Sequence, residues 1–210
     1  MHMLMVDFIN VGYGDAILIR EKKDGVSVFS ALVDCGDEKT GYKSPSYRIH
    51  AADFLANEGI SHLDLLIVTH LHLDHVGGLK RIADEIKISQ FLGNYIPHES
   101  VWGNTVSMPE AVSEGAARLI ESANIYCSSL DNMSFSGTKI IYLREKCNFT
   151  INNTCFHLSV ADPAFYQRQQ EILDRLFKGE ICLQELDQLH NFINDTSLCV
   201  RLEYAGNPLR

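Results

Sequence analysis

Hydrophobic residues recur along this chain in two spacings, one typical of strands and one typical of helices. Short apolar or alternating segments predict strands at 3–11, 16–20, 26–34, 63–69, 88–93, 139–143, 155–160 and 196–204. Amphipathic spacing predicts helices at 47–57, 79–86 and 109–123, and a mainly helical segment at 165–189. Because strands and helices alternate without a repeat or a linker, the pattern predicts one α/β domain over residues 1–210.

The ends of two predicted elements carry residue types that cap a helix or turn a strand. Ser46 is the predicted N-cap of the first helix, and Gly59 ends it. After the last strand, residues 205–208 (AGNP) have turn chemistry, and Leu209 and Arg210 would begin a further strand. We therefore expect that a C-terminal portion of the fold is missing from this chain.

The segment after strand 63–69 concentrates three of the nine histidines of the chain. The apolar run from Leu65 to Val68 is short and continuous, which suits a strand buried on both faces. The polar side chains that follow are His70, His72, Asp74 and His75. Since ligand sites in α/β folds gather at the carboxyl ends of strands, the pattern predicts a ligand-binding loop here.

Imidazole and carboxylate groups in this order suit zinc and other first-row divalent metals. On an extended segment alternate residues point the same way, so His70, His72 and Asp74 can project to one side. His75 would reach a second position, and the loop could offer two ligands to each of two ions. Such a pair of ions can hold a water of low pKa. The alternative is a solvated polar loop whose histidines are coincidental.

The other histidines lack the spacing of a metal-ligand motif. His98 follows a strand and lies in a predicted loop, so it is the candidate for a third ligand. His157 alternates within a predicted strand and is interpreted as a packed or hydrogen-bonded core residue. His190 is interpreted as a capping or surface residue at a helix end, and His50 and His62 as surface residues.

Two further segments could be mistaken for chemical motifs. Residues 12–15 (GYGD) lack the third glycine of a phosphate loop and open a strand, so they predict a tight hairpin, with Asp15 able to face the site. Cys35 has no base beside it and is interpreted as a small buried residue. The six cysteines form no CxxC pair, which indicates reduced thiols in a cytoplasmic protein.

Composition and charge restrict the class of protein. The chain is 46% hydrophobic and 21% charged, ordinary values for a domain with a core. No apolar run approaches the roughly 18 residues of a membrane span, and the N-terminus is predicted to be a strand rather than a signal peptide. The net charge of −9 argues against a broad basic surface for nucleic acid. This net charge does not exclude a phosphate-bearing substrate, because a bound cation can invert the charge of a site.

A family resemblance rests on these motifs. The stretch HLHLDH, from His70 to His75, with LLIVT before it and GGL after it, resembles the HxHxDH signature of the metallo-β-lactamase superfamily. The segment LVDCG, residues 32–36, resembles the Asp-x-Gly that follows an early strand in that family. The resemblance implies an α/β fold, the αββα sandwich of that superfamily, with its second half incomplete in this chain.

A narrower resemblance is to the hydrolase domain of ComEC-type competence proteins for DNA uptake. Residues 9–20 (INVGYGDAILIR) resemble a segment that carries DVGQGDA in that branch, with Asn10 in place of Asp and Tyr13 in place of Gln. Residues 194–207 (NDTSLCVRLEYAGN) resemble its late NxxSLVL strand and Tyr-Gly turn. Together the resemblances cover residues 4–93 and 194–207, and residues 94–193 carry none.

The superfamily resemblance implies roles for particular residues. His70 and His72 would bind one metal, and Asp74 and His75 a second, with Asp74 also orienting the nucleophilic water. Asp34 would hold the histidine loop by hydrogen bonds rather than bind metal. The cofactor would be zinc, or alternatively manganese, as one or two ions. A late bridging Asp and a further His of the family pattern would fall after Arg210.

The predicted function is metal-dependent hydrolysis by a metal-activated water, with a phosphodiester as the substrate implied by the ComEC-type resemblance. Nucleic acid as a partner is not supported by the charge of −9. One alternative is hydrolysis of a small ester, thioester or lactam. The other is a catalytically inactive domain that keeps the fold and acts in binding. No membrane partner is expected.

Overall fold

A computed structural model describes residues 1–40, 47–180 and 182–208. The strands are β1 (His2–Phe8), β2 (Ile17–Lys23), β3 (Val26–Val33), β4 (His62–Val68), β5 (Lys87–Gly93), β6 (Lys139–Tyr142), β7 (Cys147–Ile151), β8 (Thr154–Ser159), β9 (Cys199–Tyr204) and β10 (Asn207–Pro208). The helices are α1 (Ala51–Asn57), α2 (Leu73–Val76), α3 (Leu79–Glu85), α4 (Glu114–Phe135), α5 (Pro163–Phe177) and α6 (Leu183–Phe192). Short 3-10 turns cover Glu99–Val101 and Ile193–Thr196.

The strands form two sheets. The larger sheet has the order β1-β2-β3-β4-β5-β6, antiparallel from β1 to β3 and parallel from β3 to β6. The smaller sheet is antiparallel with the order β10-β9-β8-β7. Parallel neighbours require crossover connections, and helices α1 to α4 occupy them. As a result, the carboxyl ends of β3, β4 and β5 meet at one edge of the larger sheet.

Two hydrophobic cores lie on opposite faces of the larger sheet. One core packs Leu66 and Val68 of β4 with apolar residues of the helices, and the other packs Leu65 and Ile67 of the same strand against Phe156 and other residues of the smaller sheet. All four β4 side chains are buried. This arrangement confirms the prediction of a strand buried on both faces, and it stacks a helix layer and two sheets in an α/β sandwich.

The first helix begins later than predicted. α1 starts at Ala51 rather than at residue 47, and His50 is its N-cap, with Nδ1 accepting a hydrogen bond from Ala52 N at 3.2 Å. Ser46, the predicted cap, lies outside the described residues. The interpretation of His50 as a surface residue is wrong, because this capping role buries it to 7% exposure. Amphipathic spacing cannot distinguish an imidazole cap from a helical residue.

The fourth helix is also displaced from its prediction. α4 begins at its N-cap Ser113 and runs to Phe135, whereas the spacing predicted 109–123. Ser122 and Ser129 are buried on the helix because their hydroxyls donate to the carbonyls of Arg118 and Ile125 one turn earlier. Because their hydroxyls bond within the helix, these serines can be buried. They nevertheless make the second half of the helix look polar in the sequence.

Other boundaries changed in the second half of the chain. β7 (Cys147–Ile151) was not predicted, and β9 begins at Cys199 rather than at residue 196, because residues 193–196 form a 3-10 turn. The predicted turn at the end of β9 is present, with Asn207 paired to Tyr204, whereas Leu209 and Arg210 lie outside the described residues. Among the described residues, no helix is long and apolar enough to cross a membrane.

Candidate metal centre

The histidine stretch lies at the carboxyl end of β4, and only its first part is extended. Helix α2 begins at Leu73, so Asp74 and His75 lie on a short helix and not in the predicted loop. His72 occupies the N-cap position of α2, and its carbonyl accepts from the amides of His75 and Val76. The stretch is therefore divided into an extended pair, His70 and His72, and a helical pair.

The extended pair presents two imidazole nitrogens to each other. His70 Nε2 lies 3.2 Å from His72 Nδ1. The opposite nitrogen of each ring is already engaged, His70 Nδ1 by the Thr69 hydroxyl at 3.0 Å and His72 Nε2 by the carbonyl of His190 at 3.1 Å. A carbonyl can only accept, so His72 carries its proton on Nε2 and has its Nδ1 lone pair free.

Asp34 connects these groups through hydrogen bonds. Its carboxylate accepts from the Thr69 amide at 2.8 Å, from the Thr69 hydroxyl at 2.7 Å and from His75 Nδ1 at 2.8 Å. Because the single hydrogen of the Thr69 hydroxyl goes to Asp34, that hydroxyl accepts from His70 Nδ1. His70 therefore also presents an unprotonated nitrogen, and the hydrogen bonds expected of Asp34 are present.

The helical pair presents a second set of donors. Nε2 of His75 lies 4.0 Å from Oδ2 of Asp74, while Nδ1 of the same ring is held by Asp34. Burial lowers the pKa of His75, but the hydrogen bond and charge of Asp34 and the charges of Asp74 and Asp15 outweigh burial and raise it. Asp15 thus acts on this site, as the sequence allowed, but from an eight-residue loop, 9–16, that joins β1 to β2 where a tight hairpin was predicted.

The extended pair, in contrast, is shifted towards its neutral form. Burial, together with the nearby charges of His75 and His72, lowers the pKa of His70 to about 3. Burial also lowers the pKa of His72. Neutral imidazole is the form that binds metals.

The donor geometry fits a metal at the extended pair and leaves its ligand set incomplete. Two unprotonated nitrogens 3.2 Å apart repel each other unless a cation lies between them. Ligands of a tetrahedral zinc are separated by about 3.3 Å. Within the described ranges, no group of three or more His, Cys, Asp or Glu side chains is arranged to hold a metal ion. The described side chains thus offer two pairs of donors, His70 with His72 and Asp74 with His75, and not a single set of three or four.

The glycines around the site are required by close backbone contacts. Gly14 has a φ of +73°, and a Cβ at this position would lie 1.6 Å from the carbonyl oxygen of Asp74. A Cβ on Gly78 would lie 2.4 Å from the carbonyl oxygen of Cys35. The 9–16 loop is therefore packed directly against α2, and the segment after β3 against the link between α2 and α3.

His98, His190 and Asn94 differ in how they contact the histidine cluster. His98 caps the 3-10 turn at 99–101 and is bonded to Ser100, so the described contacts do not bring it to the cluster. His190 contacts His72, with ring centroids 4.9 Å apart, and is not simply a surface residue. Asn94 donates to the carbonyls of Thr69 and Thr196.

His62 and His157 lie away from the cluster. His62 pairs with Ser89 at the opposite end of β4, which agrees with its surface interpretation. His157 is hydrogen-bonded to Asn148, as one of the two predicted alternatives has it, but it is partly exposed and belongs to neither hydrophobic core, so its placement in the core is wrong. Its strand position places it on the face of the smaller sheet that points away from Phe156 and Leu158.

A cavity of 560 Å³ lies between the start of α4 and the end of α6, beside the histidines. Its lining residues include Ser113, Arg118, Asp187 and His190. A cavity of 650 Å³ between the sheets is lined by no residue of the histidine stretch. The first cavity is likewise lined by no residue of the stretch, and it adjoins the cluster only through His190, whose ring contacts His72.

Comparison with known proteins gives one family match. Residues 9–110 match the family model described as the Metallo-beta-lactamase superfamily. Over 51 residues the chain is 45% identical to the Beta-lactamase-like protein 2 homolog of Drosophila melanogaster, covering 24% of this chain and 16% of that protein. Residues 9–110, just under half of the chain, are therefore similar to the metallo-β-lactamase superfamily, and the α/β fold described above agrees with that match.

Similar solved structures include metallo-β-lactamases. A HARLDQ-motif mutant of a Cronobacter sakazakii metallo-β-lactamase has a TM-score of 0.48 and 11% identity, covering 95% of this chain and 57% of that chain. An archaeal metallo-β-lactamase superfamily protein from Sulfolobus tokodaii has a TM-score of 0.38 and 18% identity, covering 76% and 55%. This chain spans about half the length of these structures. The superfamily typically holds metal-dependent hydrolases and generally binds divalent metals.

Proposed function

We propose that this protein is a metal-dependent hydrolase whose cation is bound by His70 Nε2 and His72 Nδ1. The observation that supports this most directly is the fixed protonation of the two rings. Thr69 and the His190 carbonyl each hold one ring nitrogen, and the remaining lone pairs face each other at 3.2 Å. Metal-binding histidines in general donate their second N–H to such a partner.

Asp74 and His75 would provide a second position, as the HxHxDH resemblance implies. Their donor atoms are 4.0 Å apart, so a small rotation of the Asp74 side chain would bring both to one ion. Zinc is the first candidate, since imidazole nitrogens suit it, and manganese is the second. The bound cation would supply a water of lowered pKa and polarise the bond under attack.

Asp74 is the residue that we assign to catalysis. Its side chain is 36% exposed at the mouth of the site, whereas Asp34 is buried under the histidines. A carboxylate in contact with solvent can orient a water molecule and accept its proton. Asp34 cannot reach solvent and instead keeps His75 and Thr69 in position.

A phosphodiester is the substrate class we propose to test first. Its support is the similarity of residues 9–20 and 194–207 to the ComEC-type branch. The net charge of −9 argues against a broad nucleic-acid surface and favours a small phosphodiester. A small ester, thioester or lactam is the alternative, and a binding role without catalysis is the third. The six free thiols support a reducing, cytoplasmic setting.

The test compares a chromogenic phosphodiester with a chromogenic thioester, each with added Zn²⁺ or Mn²⁺. We expect metal-dependent release from the phosphodiester, and about a 10²- to 10⁴-fold lower kcat in Asp74→Asn, because the amide cannot accept the proton. His62→Ala is the matched control. Activity of Asp74→Asn equal to that of the unmodified chain would refute the catalytic role, and thioester cleavage alone would refute the substrate class.

A further inference from the structure

The cavity of about 650 Å³ between the two sheets opens at one end of the sandwich. β6 is the last strand of the larger sheet in spatial order, β7 is the last strand of the smaller sheet, and residues 143–146 connect them. Both sheets supply apolar side chains to the wall of this cavity. These side chains are Leu65, Leu92, Ile141, Leu143, Phe149 and Ile151.

The cavity is present because the inward side chains of the two edge strands are incompletely covered. Ile141 on β6 and Phe149 and Ile151 on β7 pack against the core between the sheets, yet all three are only partly buried. Among the described residues, no further strand lies beyond β6 or β7. Because removing apolar surface from water is favourable, an apolar chain is the kind of group that this cavity suits.

The mouth of the cavity carries positive charge. Arg144 is exposed in the β6–β7 connection, and its guanidinium carbon lies 4.5 Å from the centroid of the Tyr142 ring. None of the ion pairs between described residues includes Arg144 or Lys146. Glu145 is the one anion of the connection, which leaves it net positive in a chain of charge −9. This mouth therefore favours an anionic group.

A second cavity, of about 450 Å³, adjoins the first at Tyr142 and Arg144. Gln170 of α5 is part of its wall, and the side-chain oxygen Oε1 of Gln170 is buried without a donor among the described residues. An apolar group placed here would leave this oxygen unpaired, whereas a hydrated polar group brings water that can donate to it. The second cavity thus suits the polar end of a ligand.

We infer that the cavity between the sheets binds a free fatty acid, with its chain between the sheets and its carboxylate on the Arg144 guanidinium. A guanidinium can donate two parallel hydrogen bonds to a carboxylate, and stacking on Tyr142 restricts its plane. The volume of about 650 Å³ lies within the roughly 300–1,000 Å³ of small-molecule sites. This site is separate from the histidine cluster and needs no metal.

The chain length and the charge of the ligand provide the first test. Isothermal titration calorimetry of the full chain with octanoate, decanoate and dodecanoate, each below its micelle concentration, should give saturable binding. Each added CH2 group should tighten binding about fourfold. Decan-1-ol should bind about tenfold more weakly than decanoate, because it cannot form the charge-assisted hydrogen bonds.

Substitutions of Arg144 test the carboxylate contact. Arg144→Gln should weaken decanoate binding about tenfold and leave the binding of decan-1-ol unchanged. Arg81→Gln is the matched control, because Arg81 is ion-paired with Asp53 and lies on α3, on the other face of the larger sheet. Its affinity for decanoate should equal that of the unmodified chain.

A substitution of Ile141 tests the position of the chain. Ile141→Trp places a larger side chain in the cavity and should weaken the binding of decanoate and decan-1-ol alike by at least about tenfold. Ile140→Trp is the matched control, because Ile140 is the neighbour of Ile141 on β6 and packs against the helix-side core. Thermal melting of each variant shows whether it is folded.

The unmodified chain also carries a reporter of occupancy. Cys147 lines the cavity, whereas Cys182 and Cys199 are exposed thiols outside its wall. Saturating decanoate should slow the alkylation of Cys147 by iodoacetamide at least about fivefold, as measured by mass spectrometry of its peptide, because the chain covers the thiol. Alkylation of Cys182 and Cys199 should proceed at an unchanged rate.

The results that would overturn the inference are distinct from those that bear on the metal. Absence of saturable decanoate binding, binding that folded Ile141→Trp retains, or alkylation of Cys147 that decanoate does not slow would each exclude a fatty acid in this cavity. Equal affinity of Arg144→Gln and the unmodified chain for decanoate would exclude the carboxylate contact. A homodimer that Ile141→Trp dissociates, without decanoate binding, would identify a second copy as the occupant.

Discussion

Asp34 is the residue on which the geometry of the histidines depends. It is 2% exposed, adopts a φ of +58° and accepts hydrogen bonds from Thr69 and His75. Asp and Asn are the non-glycine residues that most readily adopt this left-handed conformation. The carboxylate therefore fits both the backbone and the hydrogen bonds, and through Thr69 it also sets the protonation of His70.

Replacing Asp34 should weaken metal binding without removing it. We expect Asp34→Ala to lower metal affinity about 10- to 100-fold, since His70 and His75 lose the partners that orient them. The measurement is equilibrium dialysis against Zn²⁺. Asp84→Ala is the control, because Asp84 pairs with Lys80 at the surface. An Asp34→Ala protein with unchanged affinity would show that the ring orientations do not depend on this carboxylate.

Among the elements, the 9–16 loop and α2 form one packed unit. Gly14 leaves no space for a Cβ beside the Asp74 carbonyl, and the Gly36 amide donates to the carbonyl of Asp15 at 2.9 Å. The glycines that resemble the ComEC-type segment thus have a packing reason in this chain. They allow the loop to support the helix that carries Asp74 and His75.

Gly14→Ala should therefore destabilise the fold and disturb the second metal position. The free energy of unfolding in urea should fall by about 2 kcal/mol or more, from strain at positive φ and from the clash with Asp74. Gly137→Ala is the matched control, because Gly137 also has a positive φ of +80° but no atom within 4 Å of a Cβ. Equal losses in the two variants would contradict the packing argument.

Local pattern was sufficient for the strands in the first half of the chain and for the position of the histidines. The continuous run Leu65 to Val68 predicted a strand with both faces buried, and both are buried. Pattern failed for α2, because a four-residue helix gives no periodic signal. It also failed for β7, whose residues are at most half-buried. In the second half of α4 it failed because buried serines, which hydrogen-bond carbonyls of the same helix, interrupt the apolar spacing.

The candidate site could be predicted only as far as it is local in sequence. The pattern HLHLDH singled out His70, His72, Asp74 and His75. The fold places these four residues together at the carboxyl end of β4. The contact of His72 with the carbonyl of His190 joins segments more than 100 residues apart. No spacing rule connects such segments, so single-sequence reasoning interpreted His190 as a capping or surface residue.

For the molecule as a whole, the parallel half of the larger sheet concentrates the polar chemistry. Asp34, Thr69 and Asn94 each follow directly after β3, β4 and β5, so three adjacent strand ends supply the site. The smaller sheet contributes through the turn before β9. The helix layer and the inter-sheet core lie on opposite faces of the larger sheet, which leaves this edge to carry the site.

The most direct test of the account is the metal content of the purified chain. After loading with Zn²⁺ and exhaustive dialysis, elemental analysis should find about one ion or more per chain in the unmodified protein and in His62→Ala, and below about 0.1 ion in His72→Ala. His62 is the matched control because it lies at the opposite end of the same strand. Stoichiometric metal in His72→Ala, or none in the loaded unmodified chain, would contradict the assignment of His70 and His72 as the metal site.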